Sequence, residues 1–171
     1  LRFSEKKGPE LGEPIRGRSL AEKLTVPYPE DDLQYVLETI KILRQKLDVP
    51  LIGFSGAPFT LATYMIEGES SKSFINTKRM MYSASSLFGY LMDKITESVV
   101  AYLSSQIKAG AQAVQLFDTW AGILSPEDYR EFVLPYIKKA ISRLKKVKGG
   151  NKGVCDPVPV IYFVNGSAGI L

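Results

Sequence analysis

Two short stretches hold the side chains best suited to chemistry. One runs from Leu51 through Gly53-Phe54-Ser55-Gly56-Ala57-Pro58-Phe59-Thr60-Leu61 to Tyr64 and Glu67-Gly68; the other is Phe117-Asp118-Thr119-Trp120-Ala121-Gly122. The Tyr64 and Thr119 hydroxyls can each donate and accept a hydrogen bond. Taken alone, Tyr64 reads better as a core tyrosine with its hydroxyl satisfied, and Thr119 reads also as the cap of a turn. Asp118 follows an apolar run, where an aspartate more often binds nearby backbone N–H groups than serves as an acid, so it is read as structural. Phe54 and Phe117 close apolar runs and suit either a pocket wall or core packing. Arg16 and Arg18 have the chemistry to hold carboxylates, but they lie in a Gly/Pro-rich opening where arginines are usually solvated, and neither is assigned to a site.

The composition removes many other chemistries from these residues. Histidine is absent and Cys155 is the only cysteine. Ser-His, Cys-His and HExxH arrangements are therefore excluded, as are an internal disulfide and a cysteine metal cage, leaving carboxylates, tyrosines, arginines and backbone groups. Gly68 to Ser73 resembles a phosphate loop only superficially, because the GxxxxGK[ST] spacing fails and the preceding element is already helical. The 171 residues are 45% hydrophobic and 23% charged, a composition that folds rather than stays disordered. The formal charge is +4, and much of the excess is late, in Lys138, Lys139, Arg143, Lys145, Lys146, Lys148 and Lys152. Cations there complement a helix C-terminus, and no interleaved aromatics offer bases a stacking platform, so no nucleic-acid partner is expected. The longest apolar run, Val158 to Val164, is far too short to span a membrane, and no charged leader with an apolar core opens the sequence. A cytoplasmic location is the expectation.

The elements that must hold these residues alternate. Leu1 to Leu24 reads as an irregular connection, with Leu1-Arg2-Phe3 suiting the end of a strand. Pro29-Glu30-Asp31-Asp32 opens a helix whose Leu33, Val36, Leu37, Ile40, Leu43 and Leu47 repeat at helical spacing and cover a sheet. Pro50 to Phe54 shows no period-2 alternation, as expected of a strand covered on both faces, and it breaks at Ser55-Gly56-Ala57-Pro58 into a helix that stops at Glu67-Gly68. Phe74 to Met81 is predicted as a short helix. A long one follows Ser85-Ser86, with Phe88, Leu91, Met92, Ile95, Val99, Tyr102, Leu103 and Ile107 in register and Gly110 at its end. Ala111 to Phe117 is the second strand. Ser125-Pro126-Glu127-Asp128 is a capped start with Asp128 reaching back, Pro135 should kink or split the helix that follows, and Gly149 to Gly153 should end it. Val158 to Val164 is the third strand. Three apolar strands separated by long helices predict right-handed βαβ units and a parallel sheet: an α/β slice of a (β/α)8 TIM barrel, with strand ends at Phe54-Ser55, Phe117-Asp118 and Val164-Asn165 sharing one mouth.

The run Gly53-Phe54-Ser55-Gly56, Pro58-Phe59-Thr60-Leu61, Tyr64, Glu67-Gly68 resembles the signature of uroporphyrinogen decarboxylase. The likeness extends through the opening Gly8 to Arg16, Ala109 to Gly122, Leu134 to Lys139, and Val164 to Gly169. It implies that residues 1–171 are part of a single barrel domain of about twice this length, and that the enzyme removes carbon dioxide from the four acetate side chains of uroporphyrinogen. Tyr64 and Thr119 occupy the positions whose hydroxyls contact the tetrapyrrole or its carboxylates. Ser70 to Ser73 would lie at the rim of the cleft. The principal catalytic groups of the family, an aspartate and arginines before Leu1 and a histidine after Leu171, are absent from the segment, which alone is expected to be inactive. No metal or organic cofactor is implied; a homodimer with facing clefts is. Two alternatives stay open: a corrinoid-dependent methyltransferase of the same superfamily, which would need a zinc site from histidine and cysteine, and a non-catalytic module binding an anionic polymer through the basic residues.

Overall fold

The computed structural model describes residues 2–4, 8–149 and 157–170. Its centre is a three-stranded parallel sheet in the order β3 (Ile52–Gly56), β4 (Ala113–Asp118), β5 (Val160–Val164), with Gly53 opposite Val114 and Val114 opposite Val160. Around it come α1 (Arg18–Lys23), α2 (Pro29–Asp32), α3 (Gln34–Lys46), α4 (Pro58–Glu67), α5 (Ile75–Ser83), α6 (Ser85–Ala109), α7 (Pro126–Phe132) and α8 (Leu134–Leu144). The strands fall within two residues of their predicted bounds and are parallel, as the long helical connections require.

One expectation fails in an informative way. In β3 the burial alternates, with Gly53 and Ser55 buried while Ile52 and Phe54 are exposed, Phe54 at 62%. The same parity continues across the sheet, where Val114, Leu116, Asp118 and Val164 are buried and Phe117, Ile161 and Phe163 are open. Within this chain, then, the strand is covered on one face only. Helix α6 lies over the buried face and puts Phe88, Leu91, Met92, Ile95, Val99, Leu103 and Ile107 into the core with Ile137 and Leu144 of α8. The other face is apolar too, and this hides the alternation from the sequence. Barrel strands have that composition because one face packs on helices and the other fills the interior.

The remaining corrections are local. The opening is not wholly irregular: β1 (Arg2–Ser4) and β2 (Gly8–Glu10) form an antiparallel pair, and α1 follows. The Pro29 helix breaks at Leu33 (φ −130°), and α3 packs on α6 and the margin of β3 through Leu37, Ile40, Ala109 and Leu51 instead of covering a sheet face. Phe74 lies outside the helix it was assigned to, as the residue before α5, with φ +52°. The split expected near Pro135 occurs at Val133, placing Pro135 in the first turn of α8, where its missing N–H costs no bond. Ser125 does accept from the Asp128 N–H at 3.1 Å, but the Asp128 carboxylate turns away to the Tyr82 hydroxyl at 2.7 Å. The expected stop at Gly149 to Gly153 lies largely outside the described residues, as does Cys155, and α8 itself ends at Leu144.

Candidate functional site

Helix α4 carries Tyr64 and is held at both ends by distant parts of the chain. At its start the Thr60 N–H, the third of the helix, donates to Asp118 Oδ1 at 3.2 Å and the Thr60 hydroxyl donates to the same oxygen at 2.7 Å. A carboxylate from the next strand thus does the work of an N-cap and faces the positive end of the helix dipole. At its end the carbonyls of Met65, Ile66, Glu67 and Gly68 accept from Ile15 N, Arg16 Nε, Arg16 Nη2 and Leu11 N, all within 2.7–3.1 Å. Arg16 is therefore a helix cap, which accounts for an arginine in that loop without a substrate. Gly68 closes the helix at φ +88°, and a side chain there would collide with Pro14.

Glu67 of the signature is also occupied. Its buried carboxylate accepts from Asn76 Nδ2 at 2.9 Å and from both the backbone N–H and the hydroxyl of Thr77 at 2.8 Å. It caps α5 from the helix before, fixing Phe74 so that its ring lies 5.3 Å from that of Trp120. The Tyr64 ring is 6.1 Å from the same indole. Trp120 thus contacts the rings of both Phe74 and Tyr64 and links the signature helix to the turn that carries Thr119. Tyr64 and Thr119 are both half-buried, and among the described residues neither hydroxyl has a hydrogen-bond partner within the protein.

Phe54 and Phe117 lie together on the open face of the sheet, edge to face with centroids 5.9 Å apart, and Phe163 continues the row 5.9 Å beyond Phe117. Phe54 is in the middle of β3 and not at its end, since the strand runs on to Gly56. Asp118 faces the opposite way and is fully buried. Besides Thr60 it accepts from the Tyr162 hydroxyl at 2.8 Å, and Tyr129 donates to Tyr162 at 3.3 Å. Burial pushes the Asp118 carboxyl above its usual range, against the hydrogen bonds from Thr60 and Tyr162. The Tyr162 hydroxyl is driven far above the ordinary tyrosine value by burial and then by the Asp118 charge. Asp118 thus binds a distant backbone N–H and two side-chain hydroxyls, and not the nearby backbone N–H groups that the sequence reading expected.

Thr60, Trp120 and Phe163, which the sequence reading did not single out, contact the candidate residues. Trp120 and Thr60 stand inside the two motifs, and Phe163 follows Phe117 by strand register, so parity across a parallel sheet was the signal for it. A cavity of about 250 Å³ lined by Arg16, Asn76, Arg79 and Ser83 includes none of the candidate residues, whereas one of about 390 Å³ between α3, α6 and β3 has Phe54 in its lining. Among the described residues no group of three or more metal-ligating side chains comes together, and no helix is long and apolar enough to cross a membrane.

A model of the uroporphyrinogen decarboxylase family matches residues 1–171. The chain belongs to that family. It is 52% identical over 166 residues to the uroporphyrinogen decarboxylase of Geobacter sulfurreducens, covering 96% of this chain and 46% of that protein. It is 49% identical over 168 residues to that of Hydrogenovibrio crunogenus (97% and 46%) and 45% identical over 171 residues to that of Desulfotalea psychrophila (100% and 48%). The chain thus spans about half the length of the curated relatives it matches. Among solved structures it is similar to a methyltransferase from Methanosarcina mazei, with a TM-score of 0.68, 22% identity, and coverage of 94% of this chain and 42% of that one. That likeness concerns the fold: three parallel strands with their helices, a fragment of a TIM-barrel-like architecture.

Proposed function

We propose that these residues build part of the substrate wall of a uroporphyrinogen decarboxylase, an enzyme that removes carbon dioxide from the four acetate side chains of uroporphyrinogen. The observation that carries this reading is the meeting of Tyr64 and the Thr119-Trp120 turn. Strand ends and helix caps bring them together from separate motifs, and their hydroxyls remain available to a ligand. The family membership supplies the substrate class. Losing an acetate carboxyl needs an electron sink, which a protonated pyrrole provides, then stabilisation of the cation and a proton for the new methyl group. Tyr64 and Thr119 would hold substrate carboxylates or the ring by hydrogen bonds, and Phe54 and Phe117, continued by Phe163, would form the apolar bed beneath.

The same reading makes residues 1–171 the middle of a single barrel domain in a cytoplasmic homodimer, supported by the resemblance and by the share of each relative that is matched. The segment alone would not turn over substrate, because the aspartate, arginines and histidine that the resemblance assigns to catalysis are not among these residues.

The test is made in the complete enzyme. Tyr64→Phe and Thr119→Val should each lower kcat/KM by about 10- to 100-fold, the loss of a hydrogen bond to a charged group at about 1.5–3 kcal/mol, while Thr119→Ser keeps most of the activity. Unchanged turnover in Tyr64→Phe and Thr119→Val would remove both hydroxyls from the site. Stoichiometric zinc in the complete protein, without porphyrinogen decarboxylation, would transfer it to methyl-transfer chemistry.

A further inference from the structure

Thr60 is the point at which two otherwise separate parts of the site are joined. Its hydroxyl donates to Asp118 Oδ1 at 2.7 Å and accepts from the Trp120 backbone N–H at 3.2 Å. Its own N–H is bound to the same aspartate oxygen at 3.2 Å. One turn further along α4 is Tyr64, and between the two partners, Asp118 at the end of β4 and Trp120 just beyond it, is Thr119. Thr60 and Asp118 are both buried and on the helix side of the sheet, whereas the proposed substrate face is on the other side. They are out of reach of a ligand on that face, yet they set the geometry of the residues that are within reach.

We propose that Thr60 and Asp118 are positioning residues for the reaction, a buried latch that fixes the Thr119-Trp120 turn against α4 and so sets the spacing of the Thr119 and Tyr64 hydroxyls. The latch is held from a third element as well. Tyr162 of β5 donates to Asp118 Oδ2 at 2.8 Å, and Tyr129 of α7 backs Tyr162. Both carboxylate oxygens are engaged, so the aspartate is held from two sides, and a turn that moved away from α4 would leave the part-buried Trp120 N–H without its Thr60 acceptor. Neither motif suggests this alone, because Thr60 and Asp118 each look like local capping residues until the two strands are laid side by side.

The proposal rests on Tyr64 and Thr119 being substrate contacts, and a double-mutant cycle in the complete enzyme separates its failure from the failure of that reading. Thr60→Val keeps the shape but removes the hydroxyl; it should lower kcat/KM by about tenfold, less than the roughly 100-fold cost of a 1 Å misplacement, and Thr60→Ser should restore it to within about twofold. In a Thr119→Val background, Thr60→Val should change kcat/KM by less than about twofold, because the hydroxyl on the turn that the latch holds against Tyr64 is already gone. Activity is referred to folded enzyme, and thermal unfolding is followed alongside. If Thr60→Val does not fold, Asp118→Asn takes its place: the weaker acceptor should cost about threefold alone and nothing further with Thr119→Val. Equal losses in both backgrounds, or a lowered unfolding temperature with unchanged kcat/KM, overturn the latch. A Thr119→Val enzyme as active as the parent overturns the substrate reading instead.

Discussion

Leu116 and Phe117 are neighbours in one strand and belong to different worlds. Leu116 is fully buried beneath the helices; Phe117, 37% exposed, stands on the bare face among Phe54, Ile161 and Phe163. The covered face is finished. Its polar groups are satisfied: Gln106 of α6, also buried, donates from Nε2 to the Phe54 carbonyl and accepts from the Phe54 N–H through Oε1, both at 3.0 Å. The open face has large aromatic side chains in edge contact that the described residues leave exposed. The difference teaches that apolar character alone does not say which side of a strand does structural work. Covering atoms do.

The largest expected effects come from exchanging these neighbours. In the complete polypeptide, Leu116→Ala should cost about 2–5 kcal/mol, because the packed helices relax only partly around the void. Phe117→Ala should cost less stability and appear chiefly as a raised KM for the porphyrinogen, as expected of a wall residue. Chemical denaturation of both variants measures the contrast. Equal destabilisation with unaltered kinetics would place Phe117 in an ordinary core.

A second test is made where the covered face meets backbone. Gln106→Leu keeps the bulk but leaves the N–H and carbonyl of Phe54 without their present partners, so we expect a loss of about 1–3 kcal/mol, the cost of unmade buried hydrogen bonds. Gln106→Glu should be nearly as harmful, because a carboxylate offers no donor to the Phe54 carbonyl. A thermal shift within error of zero for both would mean that β3 is held by strand pairing alone.

The contrast between the faces also shows what could be read from the residues. The alternation of strands and helices, the parallel order and the split near Pro135 were legible because they rest on periodicity and local stereochemistry. The two-sided covering of β3 was misread, since Ile52 and Phe54 are as apolar as residues facing helices. Glu67 looked like a helix stop; that it caps α5 through Thr77 depends on where the chain returns, which no local pattern records. In the same way, Tyr64 and Thr119 are proposed as substrate contacts from the motifs, whereas the bond between Thr60 and the Trp120 turn is visible only in the fold. Residues proposed to touch substrate are conspicuous by type; the contacts that would hold them in place are not.

A smaller effect concerns the start of α7, outside both faces. Ser125→Ala removes the acceptor of the Asp128 N–H and should lower stability by about 1 kcal/mol, with Ser125→Asp restoring it. Urea midpoints of the two variants give the answer. A full loss in Ser125→Asp would show that the hydroxyl serves something other than the cap.

The smallest effect should lie where solvent reaches both partners. On the outer seam between α6 and α8, Lys139 bonds Asp93 at 2.8 Å and lies 3.2 Å from Glu97, which also pairs with Arg143. Arg143 first, and Lys139 with it, hold the Glu97 carboxyl below its usual range despite some burial. A carboxyl whose folded value is depressed adds stability above its unfolded value, near pH 4, and loses it as the pH falls through the lower folded value. Because Glu97 and both cations are about two-fifths exposed, screening reduces the gain to about 1 kcal/mol or less. Glu97→Gln should therefore lower stability slightly at pH 7, more weakly in 1 M salt, and not at all near pH 2, where the parent glutamate is itself neutral. Unfolding measured at these three conditions decides. A deficit that persisted undiminished in acid and high salt would mean that Glu97 packs like Leu116, and that the outer seam belongs to the finished side of the molecule after all.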